Sequence, residues 1–430
     1  MSDKRTIEVS YLARVEGEGS LRIELEGDTA TRVELGIFEP PRFFEALLRG
    51  RSFLEAPDIT SRICGICPVA YQFSACHAME SALGLSVTGQ LRELRRLLYA
   101  GEWIESHGLH VFLLHAPDFL GYPDAIAMAK DHGDWVSKGL RIKKAGNAIV
   151  DVLGGREIHP INVRVGGFYR APSRGELEAL LPELRAVASL TAECLEWAGS
   201  FSFPALERDY ELVALRHPTE YPFCEGRVAS TKGLDIDVSE FESCFAEEHV
   251  PYSNALRAHI KGRGSYLCGP LARFALNAER LSDPIRALAE RVGLRAPCQN
   301  PFRTILVRLV EIAHALEEAI RIIEGYREPA AAALETAPRA SRGFGATEAP
   351  RGLLYHRYDL QDDGTITSAQ IIPPTSQNQA SIEADLLGLA GELVRLPLPE
   401  ATHLAEQAVR NHDPCISCAT HFLKLIIERR

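Results

Sequence analysis

RICGICPVA at Arg62–Ala70 decides how this chain folds: Cys64 and Cys67 stand two residues apart, with a proline opening an apolar-periodic stretch directly behind them. A Cys-x-x-Cys gap lets both thiolates reach one metal centre. Pro68 sits where proline is expected in the first turn of a helix, and the periodicity runs to about Leu83. Cys67 therefore stands near a helix N-terminus, where the dipole favours a thiolate. The same gap recurs in DPCISC, with Cys415 and Cys418 close to the other end of the 430-residue chain. Zinc ribbons place their second pair within roughly 15–20 residues of the first. A site drawn from both extremities forms only after a whole domain has folded around it, which predicts a buried catalytic centre. A zinc site, or two sets of buried thiols, is the alternative that spacing leaves open.

With 46% hydrophobic and 24% charged residues, the chain can bury a large core without disulfide staples. The first residues, MSDKRTIEVS, carry charge and none of the apolar stretch of a secretory signal. No uncharged apolar run approaches the roughly 18 residues of a membrane span. The expectation is a cytoplasmic protein with reduced thiols and no membrane span. A formal charge of −11, without a basic run, repels phosphate backbones, so nucleic acid is not an expected partner.

Thr6–Leu12, Ser20–Glu26 and Arg32–Phe38 alternate or are β-branched and are split by Gly17, Gly19, Gly27 and Asp28, which predicts a small antiparallel sheet. Helical patterns follow at Leu91–Leu114, Ala125–Val152, Ser173–Ala198 and Pro301–Ile323, some expected to break at glycines. Hairpins are expected within Phe223–Phe245 and across Leu353–Ile372, around the Asp362-Asp363-Gly364 turn, as excursions from a helical body. Glu328–Pro350, rich in Ala, Gly and Pro, reads as a linker. The fold class is mainly α with smaller antiparallel β elements, in one domain over residues 1–430: a β region at 1–40 and a helical core with hairpin insertions at 41–421.

Six motifs in order now carry a resemblance: RVEGEGSLRIEL at Arg14–Leu25, RICGICPVA, HGLHVFLLHAPD at His107–Asp118, APRG at Ala349–Gly352, PPTSQN at Pro373–Asn378 and DPCISCATH at Asp413–His421. The chain resembles the large, catalytic subunit of nickel–iron hydrogenases nearly end to end. That resemblance implies that Cys64, Cys67, Cys415 and Cys418 hold nickel, with Cys67 and Cys418 bridging to an iron that bears cyanide and carbon monoxide. Thiolates suit the task, because dihydrogen has no dipole and needs a soft, polarising metal beside a base. Cys415 or Arg351 would be the first proton acceptor. Glu16, which by itself reads as a solvated strand residue, aligns with the family's proton-relay glutamate; Glu18 stands where relatives often have histidine. Arg351 and Thr375, otherwise a loop arginine and a turn threonine, would line the cyanides, and Asp118 and Asp413 would fix Arg351.

The resemblance further implies a magnesium (or Fe2+) ion held by Glu45, the Ile371 carbonyl and His421. His107, His110 and His115 are read as supporting the site from behind its ligands or as core, and the cysteines at 76, 194, 224, 244, 268 and 298 as core. Phe422–Arg430 would be a maturation tail removed by an endopeptidase, or else an ordinary amphipathic end. Four cysteines spent on one centre leave none paired for iron–sulfur clusters, so electrons require a small iron–sulfur subunit. Gln377 and the PVAYQ run resemble cytoplasmic NAD(P)-linked members, and with no G-x-G-x-x-G fingerprint here, flavin and NAD(P) would bind further subunits. A hydrogen sensor with the same site, and a metal-free structural or respiratory-complex homologue, are the competing readings.

Overall fold

The computed structural model describes residues 4–27 and 29–420. His421, the expected tail and Asp28 of the first turn lie outside the described residues. Strands β1 (Lys4–Val9), β2 (Gly19–Glu26) and β3 (Thr29–Ile37) form an antiparallel sheet in that order. Ile7 pairs with Ile23 and Val9 with Leu21, and alternation turns these side chains inward. The apolar face buries against Ile382, Leu386, Leu404 and Ala408 of two C-terminal helices, so the beginning of the chain is fixed to its end.

The largest core surrounds α1 (Pro68–Leu83), α2 (Gly89–Leu109), α3 (Ala125–Gly154) and α4 (Thr304–Gly325). Cys67 caps α1 and Pro68 opens it, as the sequence predicts. The 91–114 pattern divides: α2 stops at Leu109 and passes into a π-helical turn, His110–His115. α3 kinks at His132, directly before Gly133, and otherwise the glycines do not break these helices. They form the seam between α2 and α3, where a Cβ at Gly146 would lie 2.5 Å from the Glu105 nitrogen and one at Gly101 would lie 3.1 Å from the Gly146 oxygen. Close backbone approach, not flexibility, explains them.

Ser173–Ala198 is three short helices rather than one: Arg174–Glu178, Leu181–Ala188 and Thr191–Gly199. The first break precedes Pro182, which lacks an amide proton and sits at the start of the second helix; neither break falls at a glycine.

The segment read as a linker contains strand β4 (Ser341–Ala349), which pairs with β5 (Gly352–Leu360), itself paired with β6 (Ile366–Ile372). This sheet is no excursion. A Cβ at Gly343 would lie 2.0 Å from the Ala78 oxygen and one at Gly345 2.4 Å from the Ser74 oxygen, so β4 lies directly on α1. The expected hairpin at 223–245 is part of a three-stranded sheet, Val213–Arg216, Arg227–Ser230 and Asp235–Ile236, beside a hairpin of Phe245–His249 and Leu256–Ile260. Helices α5 (Pro374–Gly388) and α6 (Leu398–Arg410) close the fold. Among the described residues no helix is long and apolar enough to cross a membrane.

The α2–α3 seam yields a prediction. Gly146→Ala places its methyl against backbone that cannot yield, and should cost about 1–3 kcal/mol, read as a lower denaturant midpoint; an unchanged midpoint would show that the helices are not packed this closely.

Candidate metal centre

Cys64 and Cys67 lie in the loop that enters α1, and Cys415 and Cys418 lie just beyond α6 at the short helix Ile416–Ala419. The fold brings all four together. Cys64 Sγ lies 3.4 Å from Cys415 Sγ, Cys67 Sγ 3.8 Å from Cys418 Sγ, and Cys415 Sγ 2.9 Å from Cys418 Sγ. The four sulfurs all lie within 4.8 Å of one another and are buried. Hydrogen bonding from Cys415 holds the Cys64 thiol well below its ordinary range, while burial pushes Cys415 well above its own. Four buried thiols this close cannot all ionise without a cation between them. A soft, all-sulfur donor set fits nickel beside a second thiophilic metal, and these residues fit the group that the resemblance implies.

The cage is built by long-range ties. Arg42, which sequence reasoning missed, donates from Nη2 to the carbonyl of Ile63 at 2.6 Å and to that of Ser417, while its backbone N–H donates to the Thr420 carbonyl at 2.6 Å. One guanidinium thus joins the residue before Cys64 to Ser417, the residue before Cys418. Its signal in sequence was weak: a lone arginine between Pro41 and Phe43. Glu102 accepts from the amides of Val69 at 2.6 Å and Ala70 at 3.1 Å, filling the helix end behind Cys67; burial pushes its carboxyl well above the usual range.

Glu16 is brought to the sulfurs. Its backbone pairs with Cys415, with the Ile416 N–H donating to its carbonyl at 2.9 Å. Its carboxylate Oε2 lies 3.0 Å from Cys415 Sγ and accepts from the Ser417 N–H at 3.0 Å. The Ser417 hydroxyl in turn donates to Glu39 at 3.0 Å, a half-buried carboxylate that sequence reasoning also missed. Glu18 is exposed.

Arg351 occupies the tip of the two-residue β4–β5 turn, and this tip is driven into the core, with Arg351 only 3% exposed. Gly352 at φ +142° permits it, since a Cβ there would lie 2.5 Å from Cys268 Sγ. Arg351 Nε donates to the Asp413 carbonyl at 2.7 Å and Nη2 to its carboxylate at 3.1 Å. Burial alone would lower the guanidinium's pKa; Asp413 and the cage thiolates outweigh burial and hold it well above its ordinary value. Asp118 departs from expectation. It accepts bidentately from Arg410 at 2.8 and 2.9 Å and pairs with Arg14. Arg14 follows Ala13, whose carbonyl takes a third bond from Arg410 at 3.1 Å, so Asp118 anchors the loop that carries Glu16, not Arg351. Thr375, in the first turn of α5, accepts from the Cys415 N–H at 2.9 Å through Oγ1.

Glu45 accepts from the Ile371 N–H at 2.8 Å, and burial pushes its carboxyl up to about 7. The third expected ion ligand, His421, lies outside the described residues. The three histidines are buried beside the site: His107 bonds Glu311 at 2.9 Å, His110 bonds the Arg410 carbonyl at 2.8 Å, and the His115 ring packs tilted against that of His110, with burial lowering all three. Of the six other cysteines, five are buried and Cys244 is half-buried. Gln377, buried, bonds the Ile372 carbonyl at 3.1 Å and accepts from Tyr266 at 3.0 Å.

Comparison with known proteins agrees with this geometry. The family described as nickel-dependent hydrogenase matches residues 42–138 and 278–421. The chain is 34% identical to sulfhydrogenase 2 subunit alpha of Pyrococcus furiosus, over 97% of this chain and 100% of the relative. It is 32% identical to sulfhydrogenase 1 subunit alpha of the same organism, over 97% and 98%. Among solved structures, an NAD+-reducing NiFe-hydrogenase in the H2-reduced state superposes with a TM-score of 0.88 at 27% identity, covering 98% of this chain and all of that one. A NiFeSe-hydrogenase from Dm. baculatum shares the fold, with a TM-score of 0.81 at 21% identity over 97% of this chain.

The Arg42 clamp is testable apart from chemistry. Arg42→Met removes two bonds from a cation to buried carbonyls, each worth about 1.5–3 kcal/mol, and should lower nickel content of the purified protein several-fold while far-ultraviolet dichroism stays unchanged. Full nickel loading in that variant would show that the loops meet without it.

Proposed function

The chain belongs to the nickel-dependent hydrogenase family as a large, catalytic subunit, and from that premise we propose that it cleaves dihydrogen reversibly and heterolytically, with Glu16 moving the proton between Cys415 and the outside. The observation that carries the reading is the carboxylate of Glu16 at 3.0 Å from Cys415 Sγ. A nickel–iron pair carrying cyanide and carbon monoxide on iron, held by Cys64, Cys67, Cys415 and Cys418, supplies a soft Lewis acid beside the thiolates. Everything else is done by the chain. Cys415 rather than Arg351 takes the first proton, because the paired, buried guanidinium stays charged and has no lone pair to offer. Glu16 lies within direct transfer distance of that sulfur. Half-buried Glu39, which accepts from the Ser417 hydroxyl at 3.0 Å, is the next carboxylate beside this point. Arg351 and Thr375 stand beside the cage as donors for the anionic ligands on iron, and Asp413 fixes Arg351 by a charge-assisted pair.

A small iron–sulfur subunit is the proposed electron partner, followed by flavin- and NAD(P)-binding subunits. Exposed apolar side chains support a docking face around the cage loop: Phe38, Phe43, Leu47 and Leu54 precede it, and Ile158 reaches within 4.0 Å of a Cβ built at Gly65 between the first two cysteines. A cytoplasmic complex is part of this reading, supported by the likeness to an NAD+-reducing hydrogenase. A magnesium or ferrous ion at Glu45, Ile371 and His421, and endopeptidase removal of residues 422–430, complete it.

The relay is tested by Glu16→Gln in the intact complex. Exchange of dihydrogen with solvent deuterons should fall by about 10²–10⁴-fold, with nickel and iron content unchanged and partial recovery in Glu16→Asp. Wild-type exchange in Glu16→Gln would overturn the relay, and loss of metal would assign Glu16 to assembly instead.

A further inference from the structure

Tyr71 is a phenol for which the fold supplies no acceptor. It stands in the first turn of α1, four residues after Cys67, and its backbone N–H donates to the Cys67 carbonyl at 3.5 Å. The side chain is fully buried, yet its hydroxyl bonds no oxygen or nitrogen among the described residues. Its neighbours are engaged elsewhere. The ring packs tilted against that of His356, with centroids 5.8 Å apart, and His356 Nδ1 is bonded to the Tyr358 hydroxyl at 2.9 Å. The Thr60 hydroxyl reaches the Tyr71 carbonyl at 3.3 Å, not the phenol. A phenylalanine would fill the same space, and a buried hydroxyl without an acceptor is costly, so the oxygen calls for a partner.

Helix geometry turns this hydroxyl toward the cage. A long side chain on a helix leans toward the N-terminus, over the turn before its own, and the turn before Tyr71 begins at Cys67. The charges that act on the hydroxyl agree: Cys418 comes first, then Cys67, then Cys64. Cys67 and Cys418 stand with their sulfurs 3.8 Å apart. The other two sulfurs have polar neighbours of their own, since Cys64 Sγ accepts from the N–H groups of Ile66 and Cys67 at 3.3 and 3.4 Å and Cys415 Sγ lies beside Glu16. A neutral thiol is a weak acceptor, whereas hydrogen bonds to an ionised acceptor are the strong ones. The phenol therefore gains its partner when the cage is ionised around metal. Resting on the nickel–iron reading of the cage, we propose that Tyr71 is a positioning residue whose O–H donates to the Cys418 sulfur and draws electron density from the Cys67–Cys418 side of the centre. Hydrogen bonds to ligating sulfur are one of the levers by which a protein sets the potential of a metal site.

Infrared spectra of the intact complex read this effect, because less electron density at the metals raises the carbonyl and cyanide stretching frequencies. In Tyr71→Phe the bands should move to lower frequency and the midpoint potential of the centre should fall, with nickel and iron content unchanged. A ring-fluorinated tyrosine placed at position 71 keeps the shape and is a stronger donor, so it should move the bands the opposite way; it also serves if the phenylalanine variant loses its metal. Bands that stay in place in both variants, or that move in the same direction in both, would overturn this proposal alone. A wild type without such bands would fail the nickel–iron reading and this proposal with it.

Discussion

Four sulfur atoms from the two ends of the chain must be held closer together than thiolates would choose to stand. Their separations, as short as 2.9 Å, would set like charges side by side if all four ionised, a repulsion that only a cation can offset. The protein therefore cannot leave the cage to the metals. It enforces it with ties outside the cage: the β1–β3 sheet buried on α5 and α6, Arg42 bridging the carbonyls beside both cysteine pairs, and Asp118 with Arg410 locking the loop that carries Glu16. Each tie spans most of the chain, so the site exists only in the complete fold.

A buried ionic chain extends from the cage into the core. Arg351, Asp413, Arg308, His107, Glu311, Arg273 and Glu348 follow one another through contacts of 2.7–3.5 Å. Such a chain is a poor source of stability, because desolvation cancels much of the attraction. What it provides is orientation: each group is held by its neighbour in the chain, and two bonds to Asp413 fix the Arg351 side chain. Burial pushes Glu348 up to about 7 despite its proximity to Arg273, a measure of how little solvent reaches this region.

Much of the centre was legible because its signal is covalent and local. A Cys-x-x-Cys pair followed by proline specifies a loop and a helix start whatever surrounds it, and Pro68–Leu83 matched to the residue. The three N-terminal strands were readable with shifted bounds: Thr6–Leu12 is Lys4–Val9 and Arg32–Phe38 is Thr29–Ile37. What local pattern could not give was close backbone contact. Glycines within the helical patterns read as possible breaks, yet Gly101 and Gly146 are a packing seam; Gly343 and Gly345 lie in the stretch read as linker and are a strand pressed onto α1. The same limit hid Arg42, whose value lies in two carbonyls far away in sequence. It also misassigned Asp118, a carboxylate of the right type whose partner, Arg410, only the fold selects.

The central assertion is that these sulfurs hold a nickel–iron pair. Infrared absorption of the purified complex in the cyanide and carbonyl stretching region, read with its nickel and iron content, tests it directly. Sharp bands in that region with equimolar nickel are the predicted result, lost when Cys415 is replaced by alanine; zinc in the cage with no such bands would contradict the account.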